Sequence, residues 1–284
     1  MGVLNVTPDS FSDGGKYTSV ETALQQVKSM VAAGATVIDI GGESTRPGAE
    51  RVPVETEILR VVPVIEALKS LDWARLGSGY SAPQISVDTM NHQTALAAVA
   101  AGAHYVNDVS GGLADPQMLA AIAPTEATYI LGHWRGHSAE MDRLNQYSNP
   151  AKDVAAELAD RLVIGAGEGL PRERIILDPG LGFAKDAEQN WQVLSGLNYL
   201  FDLGLPVLIG ASRKRFLAAA ITAVSPNGED PAAADLEARD AATAALTALL
   251  AHQGVWGFRV HNVAVNAAAL AVAARLSGRP RGTL

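Results

Sequence analysis

The chain has 284 residues, of which 48% are hydrophobic and 18% are charged, so it can bury a large core. Its net charge of −8 is spread along the chain, and no basic run predicts binding to nucleic acid. The absence of cysteine excludes disulfides, thiolate catalysis and cysteine-bound metals. No apolar stretch approaches the roughly 20 residues of a membrane helix, and no secretory signal is apparent, so we expect a cytoplasmic protein that is not bound to a membrane.

Eight short apolar runs alternate with segments of helical spacing. The runs are residues 3–4, 37–40, 85–87, 105–106, 129–131, 175–177, 207–209 and 258, and each leads into polar residues. Eight strand-then-helix units predict one (β/α)8 barrel, a TIM barrel in the α/β class, as a single domain over residues 1–284. Such barrels carry their chemistry at the C-terminal ends of the strands, where these polar residues stand.

Three polar segments interrupt this alternation. Residues 7–18 and 45–53 follow the first two strands and contain proline and glycine, so we expect long loops over the mouth of the barrel. Residues 224–235 are acidic and rich in turn formers, which predicts a solvated insertion. Between such segments the spacing of apolar residues predicts helices. For example, Val27 and Val31 share one helical face, and Gly34 stands at the position of a C-cap.

Asp88 and Asp178 end the third and sixth strands, and Asn107 ends the strand that follows Asp88. A lone aspartate at such a point is more often the cap of the next helix. Two of them with an asparagine between suit a ligand edge that presents two N–H donors side by side, as a guanidine-like heterocycle does.

The sequence Ser212-Arg213-Lys214-Arg215 follows the seventh strand and is predicted to open a helix. Three cations in a first turn are unfavourable beside the positive end of the helix dipole. A bound carboxylate or phosphate would reverse this, held by the helix amides, the Ser212 hydroxyl and Lys214. The alternative is an exposed basic turn without a ligand.

Arg259 and His261 lie two residues apart after the last strand, so they face the same side. Asn5 becomes their neighbour once the barrel closes, and the three predict an anion pocket. Asn5 is also a candidate oxygen ligand for Mg²⁺. Two further candidates, His133 and Phe183, are equally consistent with packing.

Longer motifs carry a family resemblance. Residues 1–15, MGVLNVTPDSFSDGG, resemble the first signature of the dihydropteroate synthases, and residues 41–48, GGESTRPG, resemble the second. Shorter matches follow in the family's order: SVDT at 86–89, ND at 107–108, LDPG at 177–180, SRK at 212–214 and RVH at 259–261. The resemblance covers essentially the whole chain.

The resemblance implies a transferase that joins a dihydropterin-CH2-diphosphate to 4-aminobenzoate, giving dihydropteroate and diphosphate, in the folate-synthesis step that sulfonamides target. It implies Mg²⁺ as cofactor and a homodimer. By motif position, the pterin would be held by Asp88, Asn107, Asp178 and Lys214; the diphosphate by Asn5, Arg259 and His261, with Asn5 on Mg²⁺; and aminobenzoate by Thr45, Arg46, Pro47, Phe183, Ser212 and Lys214. The catalytic residues would be Asp88, Lys214, Arg259 and His261, with Asp88 stabilising a pterin carbocation.

Two features depart from the family. Asn262 stands where an aspartate is usual, and we expect a modest effect from the lost charge. The usual lead-in before the first strand is absent, from which we expect a less covered barrel bottom. Two alternatives stay open: a non-catalytic paralogue that binds pterin, and a pterin-barrel methyltransferase.

Overall fold

The computed structural model describes residues 1–7, 16–43, 52–77, 80–136, 143–222 and 235–277. The strands are β1 Gly2–Asn5, β2 Val37–Gly41, β3 Gln84–Asp88, β4 Tyr105–Asp108, β5 Thr128–Gly132, β6 Ile175–Asp178, β7 Leu208–Ile209 and β8 Gly257–Phe258. The α-helices are α1 Lys16–Ala32, α2 Val54–Ser70, α3 His92–Ala101, α4 Met118–Ile122, α5 Pro150–Gly167, α6 Ala187–Ser195, α7 Asn198–Phe201, α8 Arg215–Thr222, α9 Leu236–His252 and α10 Val263–Leu276.

The strands form a closed parallel ring. Strands β1 to β6 pair in chain order, and β7 pairs with β8. Two isolated parallel bridges join these sheets, Leu177 to Val207 and Gly2 to Val260. At the second bridge the Val3 N–H donates to the Val260 carbonyl at 3.0 Å, so the last strand meets the first. The predicted (β/α)8 barrel is therefore confirmed.

The inside of the barrel has an apolar floor below a polar layer. Side chains alternate along a strand, so residues two apart face the same side. On three strands an apolar residue is followed two positions later by a polar one: Val37 and Asp39, Tyr105 and Asn107, Ile176 and Asp178. The apolar members pack together with Ile130 and Leu208, separately from the main core. The polar members consequently lie nearer the C-terminal mouth.

The main core lies between the outer faces of the strands and the helices. Val27 and Val31 of α1 are buried in it, as their spacing predicts. Gly34 follows α1 with φ +105°, the left-handed backbone predicted for a C-cap glycine. Within the described residues no helix is both long and apolar enough to cross a membrane.

The three predicted irregular segments lie largely outside the described residues. The loops after β1 and β2 are described only at their margins, and the insertion at 224–235 only at its last residue. That residue, Asp235, caps α9 by accepting the backbone N–H of Ala238 at 2.7 Å.

The apolar floor predicts a stability effect. Ile130 is wholly buried, so Ile130→Ala should lower the free energy of unfolding by about 2–5 kcal/mol through lost burial and a residual cavity. Val163→Ala is the control, since that side chain on α5 is 73% exposed and its loss should change stability by less than about 0.5 kcal/mol. Urea unfolding measures both, and similar shifts in the two variants would contradict the floor's role.

Candidate active site

Two carboxylates from neighbouring strands share one guanidinium. Arg259, just after β8, donates from Nε to Asp39 Oδ2 and from Nη2 to Asp88 Oδ2, each at 2.6 Å. Asp39 is wholly buried and Asp88 nearly so. Burial is the main cause that raises the pKa of Asp88 to about 7; Arg259 opposes this rise, and the charge of Asp39 adds to it. One cation thus faces two acidic groups, and the charge of Asp88 can change near neutral pH.

Unpaired oxygens line the same polar layer. Asn107 Nδ2 donates to Asp39 Oδ2 at 3.0 Å, which leaves its own side-chain oxygen inside the barrel. That oxygen, Asp39 Oδ1 and Ser86 Oγ have no hydrogen-bond partner among the described residues. A buried polar group without a partner costs about 1–3 kcal/mol, so this layer suits a ligand that brings N–H donors.

Asp178 and Lys214 form the opposite side of the pocket. Asp178 Oδ1 accepts the Gly180 N–H at 2.7 Å, while its Oδ2 lies 3.6 Å from where a Cβ on Gly210 would stand. Glycine at position 210 therefore leaves open space beside this carboxylate. The Lys214 ammonium donates to the Leu181 carbonyl and lies 4.8 Å from the centroid of the Phe183 ring.

The charges of this pair are tuned by burial and by each other. Burial is the largest cause that lowers the pKa of Lys214 to about 8, while Asp178 opposes the fall and Arg259 adds to it. Burial likewise raises the pKa of Asp178, and Lys214 opposes that rise. Both groups titrate closer to neutrality than they would in water, which is common in active sites.

Ser212 joins the ends of the last two strands. Its Oγ accepts the backbone N–H of His261 at 3.2 Å and lies 3.0 Å from His261 Nδ1. The predicted anion-binding residues of the turn after β7 and of the end of β8 therefore lie side by side.

The predicted cluster of three cations in a helical first turn is wrong. Helix α8 begins at Arg215, and Arg213 has φ +62°, which no right-handed helix contains. Arg213 instead forms a two-pronged ion pair with Asp240 of α9, at 2.7 and 2.8 Å. Lys214 turns the other way, into the pocket. Arg213 and Lys214 therefore lie before the helix with partners of their own, and only Arg215, which is exposed, stands in its first turn.

Asn262 contacts the Arg213–Asp240 ion pair, which explains the position of its side chain. Its Nδ2 donates to Asp240 Oδ2 at 3.0 Å, and its Oδ1 lies 3.5 Å from the Val265 N–H at the start of α10. The side chain thus supports the partner of Arg213, and an aspartate here would face the Asp240 carboxylate with a like charge.

Asn5 and Asp88 flank a small open space at the barrel mouth. A Cβ on Gly41 would stand 3.7 Å from Asp88 Oδ2 and 3.8 Å from Asn5 Oδ1, and glycine leaves that space free. Amide and carboxylate oxygens are ligands that Mg²⁺ prefers. No cluster of three acidic or histidine side chains fit for a metal occurs within the described ranges.

One residue of the pocket is not singled out by any sequence motif, and three residues that a motif predicts lie outside the described residues. Asp39 stands inside the predicted apolar run 37–40. A charged residue within the buried strand Val37–Gly41 is itself a signal of a pairing or functional role. His133, a candidate for the pocket rim, has its ring between α5 and the loop after β6. The predicted aminobenzoate residues Thr45, Arg46 and Pro47 lie outside the described residues. The ligand roles of the other predicted residues stay predictions.

A closed barrel with buried acids and cations at its C-terminal mouth defines a TIM-barrel enzyme with a polar pocket. Residues 1–261 match the family described as pterin binding enzyme. The chain is 43% identical to the dihydropteroate synthase of Mycobacterium leprae over 277 residues, covering 96% of this chain and 91% of that one.

Two solved structures are also similar. The dihydropteroate synthase of Xanthomonas albilineans with 4-aminobenzoic acid has a TM-score of 0.82 and 40% identity, covering 99% of this chain and 93% of that one. The Yersinia pestis dihydropteroate synthase with a sulfonamide drug complex has a TM-score of 0.83 and 34% identity, covering 98% and 94%. The chain therefore belongs to the dihydropteroate synthases of the pterin-binding enzyme family.

The Arg213–Asp240 pair should be measurable as stability. Asp240→Asn is expected to cost about 1–3 kcal/mol, since the hydrogen bonds to Arg213 lose their ionic character. Arg213 holds the pKa of Asp240 below its ordinary value, so the pair stabilises the fold above that ordinary value and the gain is lost as the pH falls through the lowered one. The difference between wild type and variant should accordingly be full at pH 7 and shrink in acid.

Urea unfolding at several pH values tests this expectation. Glu237→Gln, an exposed change in the first turn of the same helix, is the matched control and should shift stability by less than about 0.5 kcal/mol. A difference for Asp240→Asn that stays constant down to strong acid would contradict the ion-pair explanation.

Proposed function

We propose that this enzyme condenses (7,8-dihydropterin-6-yl)methyl diphosphate with 4-aminobenzoate, giving 7,8-dihydropteroate and diphosphate in folate biosynthesis. The observation that carries the proposal is the group of inward acids and amide on β3, β4 and β6, which faces Arg259 and Lys214 inside one barrel mouth. Membership of the synthase family supports the same reaction.

The pterin ring is assigned to the polar layer. A pterin has a guanidine-like edge with adjacent N–H donors, which matches the free oxygens on Asn107 and Asp178. Lys214 supplies an N–H donor for the acceptors of the ring. The open space beside Gly210 leaves room for a flat heterocycle next to Asp178.

The diphosphate is assigned to Asn5, Arg259 and His261 at the rim of this pocket. Neutralising the leaving group lowers the barrier to its departure, because negative charge grows on the departing oxygen. Asn5, with Asp88 beside it, would hold Mg²⁺, and the ion would supply further charge neutralisation when bound. Arg259 adds a fixed positive charge whose orientation Asp39 secures.

The central step is ionisation followed by capture. Departure of diphosphate leaves positive charge on the methylene carbon, which the pterin ring delocalises and the Asp88 carboxylate stabilises. The amine of aminobenzoate then attacks the carbon and loses a proton. Phe183, Ser212 and Lys214, with the predicted Thr45, Arg46 and Pro47, form the subsite that orients this amine.

The proposed assembly is a homodimer through α9 and α10. The outer faces of these helices expose apolar side chains, with Leu249, Val272 and Leu276 between 59% and 74% exposed. Such side chains on adjoining helices are typical of a protein interface. The cytoplasmic location stays a prediction from the sequence.

Diphosphate release tests the function. Purified protein with the pterin diphosphate and Mg²⁺ should release diphosphate in an aminobenzoate-dependent manner and form dihydropteroate. Pterin binding by calorimetry without turnover would favour the non-catalytic paralogue instead. Methyl transfer from a folate would favour the methyltransferase.

Asp88→Asn should separate chemistry from binding. We expect kcat to fall by about 10²–10³-fold because the charge that stabilises the carbocation is removed. Pterin affinity, measured by calorimetry, should change far less, since an amide still fits the polar layer. Equal losses of turnover and affinity would contradict the cation-stabilising role.

The pH dependence of kcat should follow the same carboxylate. The pKa of Asp88 is raised to about 7, so turnover should increase as the pH rises through this value and the carboxylate ionises. Loss of the proton from Lys214, whose pKa is lowered to about 8, should reduce turnover at higher pH. A bell-shaped profile is therefore expected in a steady-state assay, and Asp88→Asn should lose its acidic limb. A wild-type profile that stays flat well below the pKa of Asp88 and well above that of Lys214 would argue against both assignments.

A further inference from the structure

Lys185 is a partly buried cation that neither the sequence motifs nor the proposed reaction uses. It follows Phe183 by two residues in the loop after β6. Its Nζ donates to the carbonyls of Gly180 and Phe183, each at 3.1 Å, and lies 2.9 Å from His133 Nδ1. An ammonium has three N–H donors, so these three acceptors use all of them.

The contact with Lys185 determines the state of His133. A nitrogen that faces an ammonium must act as an acceptor, so Nδ1 is unprotonated and the proton resides on Nε2. Nε2–H then donates to Glu157 Oε2 at 3.0 Å. Burial is the largest cause that lowers the pKa of His133 to about 4, and Lys185 adds to this, so the ring stays neutral.

Glu157 in turn is anchored to the rest of the barrel. It accepts from both Nε and Nη2 of Arg135, whose guanidinium lies 3.7 Å from the centroid of the Tyr147 ring. Arg135 also donates to the carbonyls of Leu144 and Gln146. A continuous chain of contacts therefore runs from α5 through His133 and Lys185 to the loop after β6.

The backbone of that loop has an unusual conformation, which other contacts must stabilise. Gly180, Gly182 and Ala184 all have positive φ, at +63°, +76° and +47°. A residue with a side chain, such as Ala184, is disfavoured in this region because its Cβ approaches the backbone. Side-chain contacts must offset this cost, and Lys185 supplies two of them.

Phe183 is held from both sides of the loop. Lys185 binds its carbonyl, while Lys214 lies over its ring. Lys214 is a residue of the proposed pterin and aminobenzoate subsites, so the placement of the Phe183 ring bears on the substrate that enters over it. Burial lowers the pKa of Lys185 to about 7, so the ammonium is held there at a cost that its three acceptors offset.

We propose that Lys185, through the neutral Nε2–H tautomer of His133, is a positioning residue that fixes Phe183 and so determines the binding of 4-aminobenzoate. This inference rests on the proposed function. It separates the two substrates, because the carboxylates and amide proposed to bind the pterin lie on strands. Lys214, which serves both subsites, reaches the loop through the Leu181 carbonyl, whereas Lys185 binds the carbonyls of Gly180 and Phe183.

Lys185→Met tests the proposal, because methionine keeps much of the length and removes every donor. The KM for 4-aminobenzoate should rise about tenfold, since a small displacement of a substrate-facing ring is costly. The KM for the pterin diphosphate should stay within about twofold of wild type. Lys152→Met, an exposed lysine of α5, is the matched control and should leave both values unchanged.

Nitrogen NMR of His133 gives a readout that needs no turnover. At a pH between the pKa of His133, about 4, and that of Lys185, about 7, wild type should show a neutral Nε2–H ring. Lys185→Met should raise the pKa of His133 because a facing positive charge is gone. Should Lys185→Met fail to fold by circular dichroism, Glu157→Gln tests the same chain from its partly exposed end and should raise the aminobenzoate KM in the same direction.

The outcomes are distinct. Equal rises in both KM values, no rise in either, or an Nδ1–H tautomer in wild type would overturn the positioning role. An absence of aminobenzoate-dependent diphosphate release by wild type would overturn the proposed function, while the tautomer measurement would still decide whether Lys185 controls His133.

Discussion

The site depends on one guanidinium held between two buried carboxylates. Arg259 comes from the last strand, whereas Asp39 and Asp88 come from the second and third. Taking such charges out of water costs several kcal/mol per ion, and only close pairing offsets it. Closure of the ring brings these strands within reach, so the polar layer exists only because the barrel is complete. Burial raises the pKa of Asp88 to about 7 although Arg259 opposes the rise, so its charge can change near neutral pH.

The apolar floor and the polar layer above it have complementary roles. Side chains such as Tyr105 and Ile176 fill the bottom of the barrel and exclude water from beneath the charged groups. Low polarity below strengthens the electrostatic interactions above it. Asn107 and Ser86, each with an oxygen lacking a described partner, then make the layer receptive to donors from a ligand. This arrangement is the one on which the proposed binding of a donor-rich heterocycle depends.

Two lysines give the mouth of the barrel its asymmetry. Lys214 lies near Asp178 and Asp88, whereas Lys185 contacts His133, whose other ring nitrogen contacts Glu157. The loop carrying Phe183 lies between the two, with a backbone that local preference does not favour. This loop is therefore held by side-chain contacts with α5 and the end of β5. The acids on the other side stand directly on strands.

The sequence by itself determined the barrel, the order of its elements and most of the pocket. Alternation with period two and helical spacing are local properties, so the strand ends that carry Asp88, Asn107 and Asp178 can be read directly. Only the tertiary structure decided the partners of the charged groups. Asp39 pairs with an arginine 220 positions away, and Arg213 turns to Asp240 and away from the pocket. Such pairings depend on ring closure and on backbone conformations like φ +62°, which no local pattern encodes.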